Sequence, residues 1–147
     1  MNIRLVIAIA VLIVVVILGG ILIAMPTPTG NGNGNNPPSP FVSENVKVNL
    51  PFPGATVLKT FTASGEARGT WFFEASFPVE VRDPNGAVVG RGIAQAQEEW
   101  MTEDFVPFNA PVTIENYSGP ATLVLIKDNP SGLPEHDDSV LFPIVVQ

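Results

Sequence analysis

Phe73-Glu-Ala-Ser-Phe-Pro-Val-Glu-Val81, followed by Arg82-Asp-Pro-Asn-Gly86, is the stretch on which the fold turns. Successive side chains of an extended chain point to opposite faces. Phe73, Ala75, Phe77, Val79 and Val81 would therefore share one face, and Glu74, Ser76, Pro78, Glu80 and Arg82 the other. That alternation predicts a strand buried on one side only. Asp83-Pro84-Asn85-Gly86 then reads as a tight turn, with Asn-Gly supplying positive φ angles. Ala87 to Gln97 is the predicted return strand of a hairpin.

Working outward, shorter runs of the same kind predict strands at Val46–Leu50, Val57–Ala63, Pro111–Glu115, Ala121–Ile126 and Ser139–Val146. Leu123 and Leu125 are the expected core residues of one, and Phe142, Ile144 and Val146 of the last. No segment sustains a helical period, and no internal repeat is present. Strands with turn signals every 8–12 residues or so, within one domain of ordinary size from Phe41 to Gln147, predict an all-β fold. The expectation is an immunoglobulin-like antiparallel β-sandwich of about seven strands. The chain has no cysteine, so no Cys…Trp…Cys signature exists, and a lone Tyr117 gives little support for a tyrosine corner. Strand order is not legible.

Before this domain lies Leu5 to Ala24, LVIAIAVLIVVVILGGILIA, without a charged or hydrogen-bonding side chain. At about 1.5 Å per residue, such a helix spans roughly 30 Å, the thickness of a bilayer's hydrocarbon core. The run exceeds the roughly 7–15 apolar residues of a cleaved signal peptide and ends without an A-x-A pattern. Residues 1–25 are thus expected to be a transmembrane signal anchor. Arg4 precedes the span and the next basic residue is Lys47, which predicts a cytoplasmic N-terminus and an extracytoplasmic remainder. Gly20 and Ala24 form a small-xxx-small pair, which leaves dimerisation open. Pro26 to Pro40, PTPTGNGNGNNPPSP, has no apolar surface to bury and is expected to be a disordered linker over 26–40. As a flexible coil it would reach roughly 20 Å, and as extended polyproline at most about 45 Å.

Beyond the apolar span, six basic residues face fourteen acidic ones. Such a surface is repelled by phosphate backbones, so nucleic-acid binding is not expected. The absence of cysteine removes disulfides, thiolate metal sites and cysteine catalysis together.

The central block carries a resemblance. Gly65-Glu-Ala-Arg68-Gly69-Thr-Trp71-Phe-Phe-Glu74-Ala-Ser-Phe-Pro78, Asp83-Pro-Asn-Gly86, Ala94-Gln-Ala, and Trp100-Met-Thr-Glu-Asp-Phe105-Val-Pro-Phe108 closely resemble the Gmad2 family. Leu50-Pro-Phe-Pro53-Gly54-Ala and Phe142-Pro143-Ile144 also fit, so the resemblance covers roughly Val46 to Gln147. It implies the bacterial spore-germination type of immunoglobulin-like domain, placed outside the cytoplasm.

Little in the chain suggests chemistry. His136 is the only histidine, and Ser131, His136 and Asp137 share one loop with nothing to fix a relay. Glu135, Asp137 and Asp138 match no EF-hand spacing. Glu98, Glu99, Glu103 and Asp104 form a second acidic group around Trp100. No catalytic residue, metal or cofactor is expected. Arg68, Trp71, Glu74 and Trp100 are the candidate binding residues, because Arg and Trp are enriched in binding hot spots. Trp faces also stack on sugars, and a guanidinium holds carboxylates. The competing structural reading puts both Trp rings in the core and has Arg68 pin its own loop by pairing with Glu74 or Glu103. The expected function is a membrane-anchored envelope module that recruits a protein partner. A glycan- or peptidoglycan-contacting module is the alternative, and a hydrolytic enzyme a distant third.

Overall fold

The computed structural model describes residues 38–147. The expected anchor, and the expected linker up to residue 37, lie outside them. Among the described residues no helix is long and apolar enough to cross a membrane.

The strands are β1 (Phe41–Val42), β2 (Val46–Leu50), β3 (Thr56–Val57), β4 (Thr60–Arg68), β5 (Ser76–Arg82), β6 (Val88–Ala96), β7 (Phe105–Ile114), β8 (Gly119–Ile126) and β9 (Ser139–Val146). Single 3-10 turns occupy Gly69–Trp71 and Pro134–His136. The fold is all-β, as the alternation requires, but two expectations about its layout need correction. The strands number nine rather than about seven, and they are hydrogen-bonded in one continuous order, β1-β2-β4-β7-β6-β5-β8-β9-β3. The pairing is also not wholly antiparallel, because β3 runs parallel to β9.

The sheet curls on itself to enclose its core. Phe41 on β1 stacks on Phe142 of β9 with centroids 5.1 Å apart, joining strands from opposite ends of the order. Phe77 on β5 meets Phe108 of β7 edge-on at 5.1 Å. Trp71 and Phe72, from the turn after β4, also pack edge-on against Phe77 at 5.9 and 5.0 Å. Among the described residues no polar or charged side chain is buried.

β5 begins at Ser76, not at Phe73. Glu74 (φ 49°) and Ala75 (φ 63°) take left-handed conformations and reverse the chain, so that Phe73 and Ser76 exchange backbone hydrogen bonds of 3.0 and 3.1 Å. Phe73 is consequently 41% exposed, while Phe77, Val79 and Val81 are buried. Trp71 and Phe72, not Phe73, are the buried rings of this segment. The following turn forms as expected at Asp83–Ala87: the Asp83 carboxylate accepts from the Asn85 and Ala87 amides, each at 2.9 Å. Gly86 takes the positive φ (85°) there, and Asn85 does not.

Two further boundaries differ. The run Val57–Ala63 is divided, because β3 pairs with β9 whereas β4 pairs with β2 and β7. β7 begins at Phe105, six residues before the expected Pro111, and is a central strand between β4 and β6. Val106, Phe108, Ala110, Val112 and Ile114 point inward in unbroken alternation. Pro107 and Pro111 lie on the other face and hide the pattern, since proline normally argues against a central strand.

Register fixes two ends of the sheet. Arg68 lies opposite Phe105, Ser76 opposite Gln95, and Ile126 opposite Ser139. Loops 97–104 and 127–138 therefore gather at the end where β4 finishes. Phe41 pairs with Val48, so the chain enters β1 from the Leu50 side, toward the opposite end.

Candidate binding site

Gly69 organises the first of these ends. A Cβ built there would lie 2.1 Å from the Thr102 carbonyl oxygen and 2.3 Å from that of Trp100. Only glycine lets the 97–104 backbone rest so closely on the end of β4. The Gly69 amide also donates to the Asp104 carbonyl at 3.0 Å. Within the loop, the Met101 amide donates to the Glu99 carboxylate at 3.1 Å and the Asp104 amide to the Thr102 hydroxyl at 3.2 Å. The loop is thus held from below and stitched along its own length.

Arg68 reinforces the same junction. Its guanidinium donates to the Glu103 carbonyl at 3.3 Å and lies 4.2 Å from the centroid of the Phe105 ring. Lys47 Nζ lies 4.0 Å from the same centroid. Arg68 therefore reaches residue 103, through the main chain and not through the carboxylate. It forms no ion pair with Glu74 among the described residues.

An open groove of about 350 Å³ lies over this junction, lined by Thr70, Phe72, Trp100, Met101 and Glu103, among others. Trp100 is partly buried and packs against the core, while Met101 is 73% exposed. Of the four residues singled out in the sequence, the structure places Trp100 in the lining of the groove and Arg68 against Glu103 and Phe105 at the end of the same loop. Trp71 is 1% exposed and belongs to the core beneath. Glu74 is exposed on its left-handed turn. Sequence reasoning missed Met101 and Thr70 as members of this surface, and Phe105 as the ring against which Arg68 lies. An exposed Met beside a Trp was the available signal, but only the contact across Gly69 makes it a groove.

The second loop offers no relay. The Ser131 hydroxyl donates to the Asn129 side chain, and the Asn129 amide donates to the Asp137 carboxylate at 2.7 Å and to the Leu133 carbonyl at 2.8 Å. His136 contributes its backbone: its amide donates to Leu133 and its carbonyl accepts from Lys127 Nζ at 3.2 Å. Asn129, not His136, links the serine to the aspartate. Among the described residues no group of three or more His, Cys, Asp or Glu side chains is placed to hold a metal ion.

A curled all-β sheet with its loops at the two ends is the architecture expected of an immunoglobulin-like module. Residues 45–132 match Gmad2, the immunoglobulin-like domain of bacterial spore germination, and the chain belongs to that family. No curated protein and no solved structure matches the chain.

Proposed function

We propose that this chain is a membrane-anchored, extracytoplasmic immunoglobulin-like module of the bacterial envelope that recruits a protein partner and performs no catalysis. The observation that carries the reading is the groove at Trp100 and Met101, where an apolar surface stays exposed on a loop clamped to Gly69 and Arg68. Interfaces concentrate their energy in Trp, Met and Arg side chains on preorganised surfaces. Anchoring is supported by the uncharged run Leu5–Ala24 and by the placement of Arg4 before it. Membership of Gmad2 supports a role connected with germination or other envelope processes.

The test has two parts. Single cysteines at Ser39 and Asn129, in a chain without native thiols, should react with an impermeant maleimide on intact cells whose envelope admits the reagent. Labelling only after lysis would reverse the orientation. A photo-crosslinking residue at position 101 should then trap a specific protein in vivo. A glycan-contacting module is the second reading, favoured by an indole in an open groove. It predicts sedimentation with purified cell-wall material and no protein adduct.

A further inference from the structure

The groove over Gly69 is lined by apolar side chains and by one carboxylate, that of Glu103. Met101 and the exposed part of Trp100 supply its carbon surface over the buried Phe72 ring. Its 97–104 loop carries Glu98, Glu99, Glu103 and Asp104 and no lysine or arginine. All four are exposed, and none takes part in an ion pair among the described residues, whose three pairs use only Glu66 and Glu80. Two cations stand at this end, and both are engaged: Arg68 with the Glu103 carbonyl and the Phe105 ring, and Lys47 with the same ring and with Glu66. The groove therefore combines an indole, a thioether and the Glu103 carboxylate, on a loop that carries three more carboxylates.

We propose that the groove takes a basic segment of a partner protein by an arginine or lysine side chain. This inference rests on the protein-recruiting reading above and names the chemistry of its partner. A long cationic side chain is itself divided, with an apolar stem and a charged head. The stem matches Met101, and the head is attracted by the indole of Trp100 and by the Glu103 carboxylate. Charge complementarity selects this occupant over an acidic peptide, which the carboxylates of the loop would repel. It also selects against anionic wall polymers for the same reason. The volume of about 350 Å³ suits one or two such side chains and not a folded surface element.

The full-length chain in detergent micelles has two indole N–H groups, one from Trp71 and one from Trp100. Their NMR signals would be assigned with Trp100→Phe and followed while three probes are added. The probes are the blocked peptide Gly-Arg-Leu-Arg-Gly, its Gly-Glu-Leu-Glu-Gly counterpart, and a disaccharide–tetrapeptide wall fragment. The arginine peptide should shift the Trp100 signal saturably, leave that of Trp71 in place, and lose affinity as salt rises. Glu99→Gln and Glu103→Gln should each weaken it by about two- to fivefold. Met101→Ser, at an exposed position, should weaken it with the fold intact. Silence toward the arginine peptide, or an equal response to the glutamate peptide, overturns the inference. If position 101 still crosslinks to a protein in that case, recruitment stands and only the basic chemistry falls. A response confined to the wall fragment overturns both.

Discussion

Ala75 sits at φ 63° and Glu74 at φ 49°, a region that a Cβ disfavours by roughly 1–2 kcal/mol per residue. Ala75→Gly is therefore expected to stabilise the domain by up to about 1 kcal/mol, measured by chemical denaturation. The same turn separates two phenylalanines that look equivalent in the alternation. Phe77 is fully buried among Trp71, Phe72 and Phe108, and its replacement by Ala should cost about 3–5 kcal/mol. Phe73→Ala should cost less than about 1 kcal/mol, because the ring is exposed. Equal losses would mean that the chain runs straight through residues 73–77. The inward phase of Phe77, Val79 and Val81 was readable from the sequence alone. The reversal at Glu74–Ala75 was not, because neither residue carries the usual turn chemistry of Gly, Asn, Asp or Pro.

Among the elements, β7 and the loop before it show how packing overrides local signals. The inward residues of β7 alternate through all ten positions, yet Pro107 and Pro111 argue locally against a central strand. Only the pairing with β4 on one side and β6 on the other reveals the strand's length. The loop joining β6 to β7 is fixed by Gly69 and Arg68. Gly69→Ala would drive a methyl group into two backbone carbonyls, so the loop must lift away. The expected result is a red shift of Trp100 emission and a loss of about 1–3 kcal/mol. Arg68→Ala removes one charge-assisted hydrogen bond and one cation–π contact, for a loss of about 1–2 kcal/mol. Arg68→Lys should lie between, keeping a cation near Phe105 without the planar fork.

At the scale of the whole molecule, the family match ends at residue 132 but the folded unit does not. β9 lies beyond it, pairs with β8 along its full length, and buries Phe142, Ile144 and Val146. A chain truncated after Gly132 is expected to lose cooperative unfolding and its β-type circular dichroism, while one beginning at Pro38 keeps both. A folded product from the shorter chain would show that β9 is an accessory strand. The β class and most strand positions were legible because period-2 alternation is a local property. The site was legible only in part. Trp71 and Trp100 look alike as residue types, and which of them enters the core depends on which loop lands on Gly69. That landing is a long-range event with no signature at either residue.

β1 and β3, the outermost strands at the two ends of the sheet, are two residues long. Abbreviated borders of this kind give a neighbouring copy almost no backbone on which to template itself. Were the module tethered to a membrane as proposed above, where copies collide far more often than in free solution, that restraint would protect against fibrous self-association. The same brevity has a cost at one border: β3 covers β9 only at Val145 and Val146, so the earlier part of β9's outer edge is left without a strand partner.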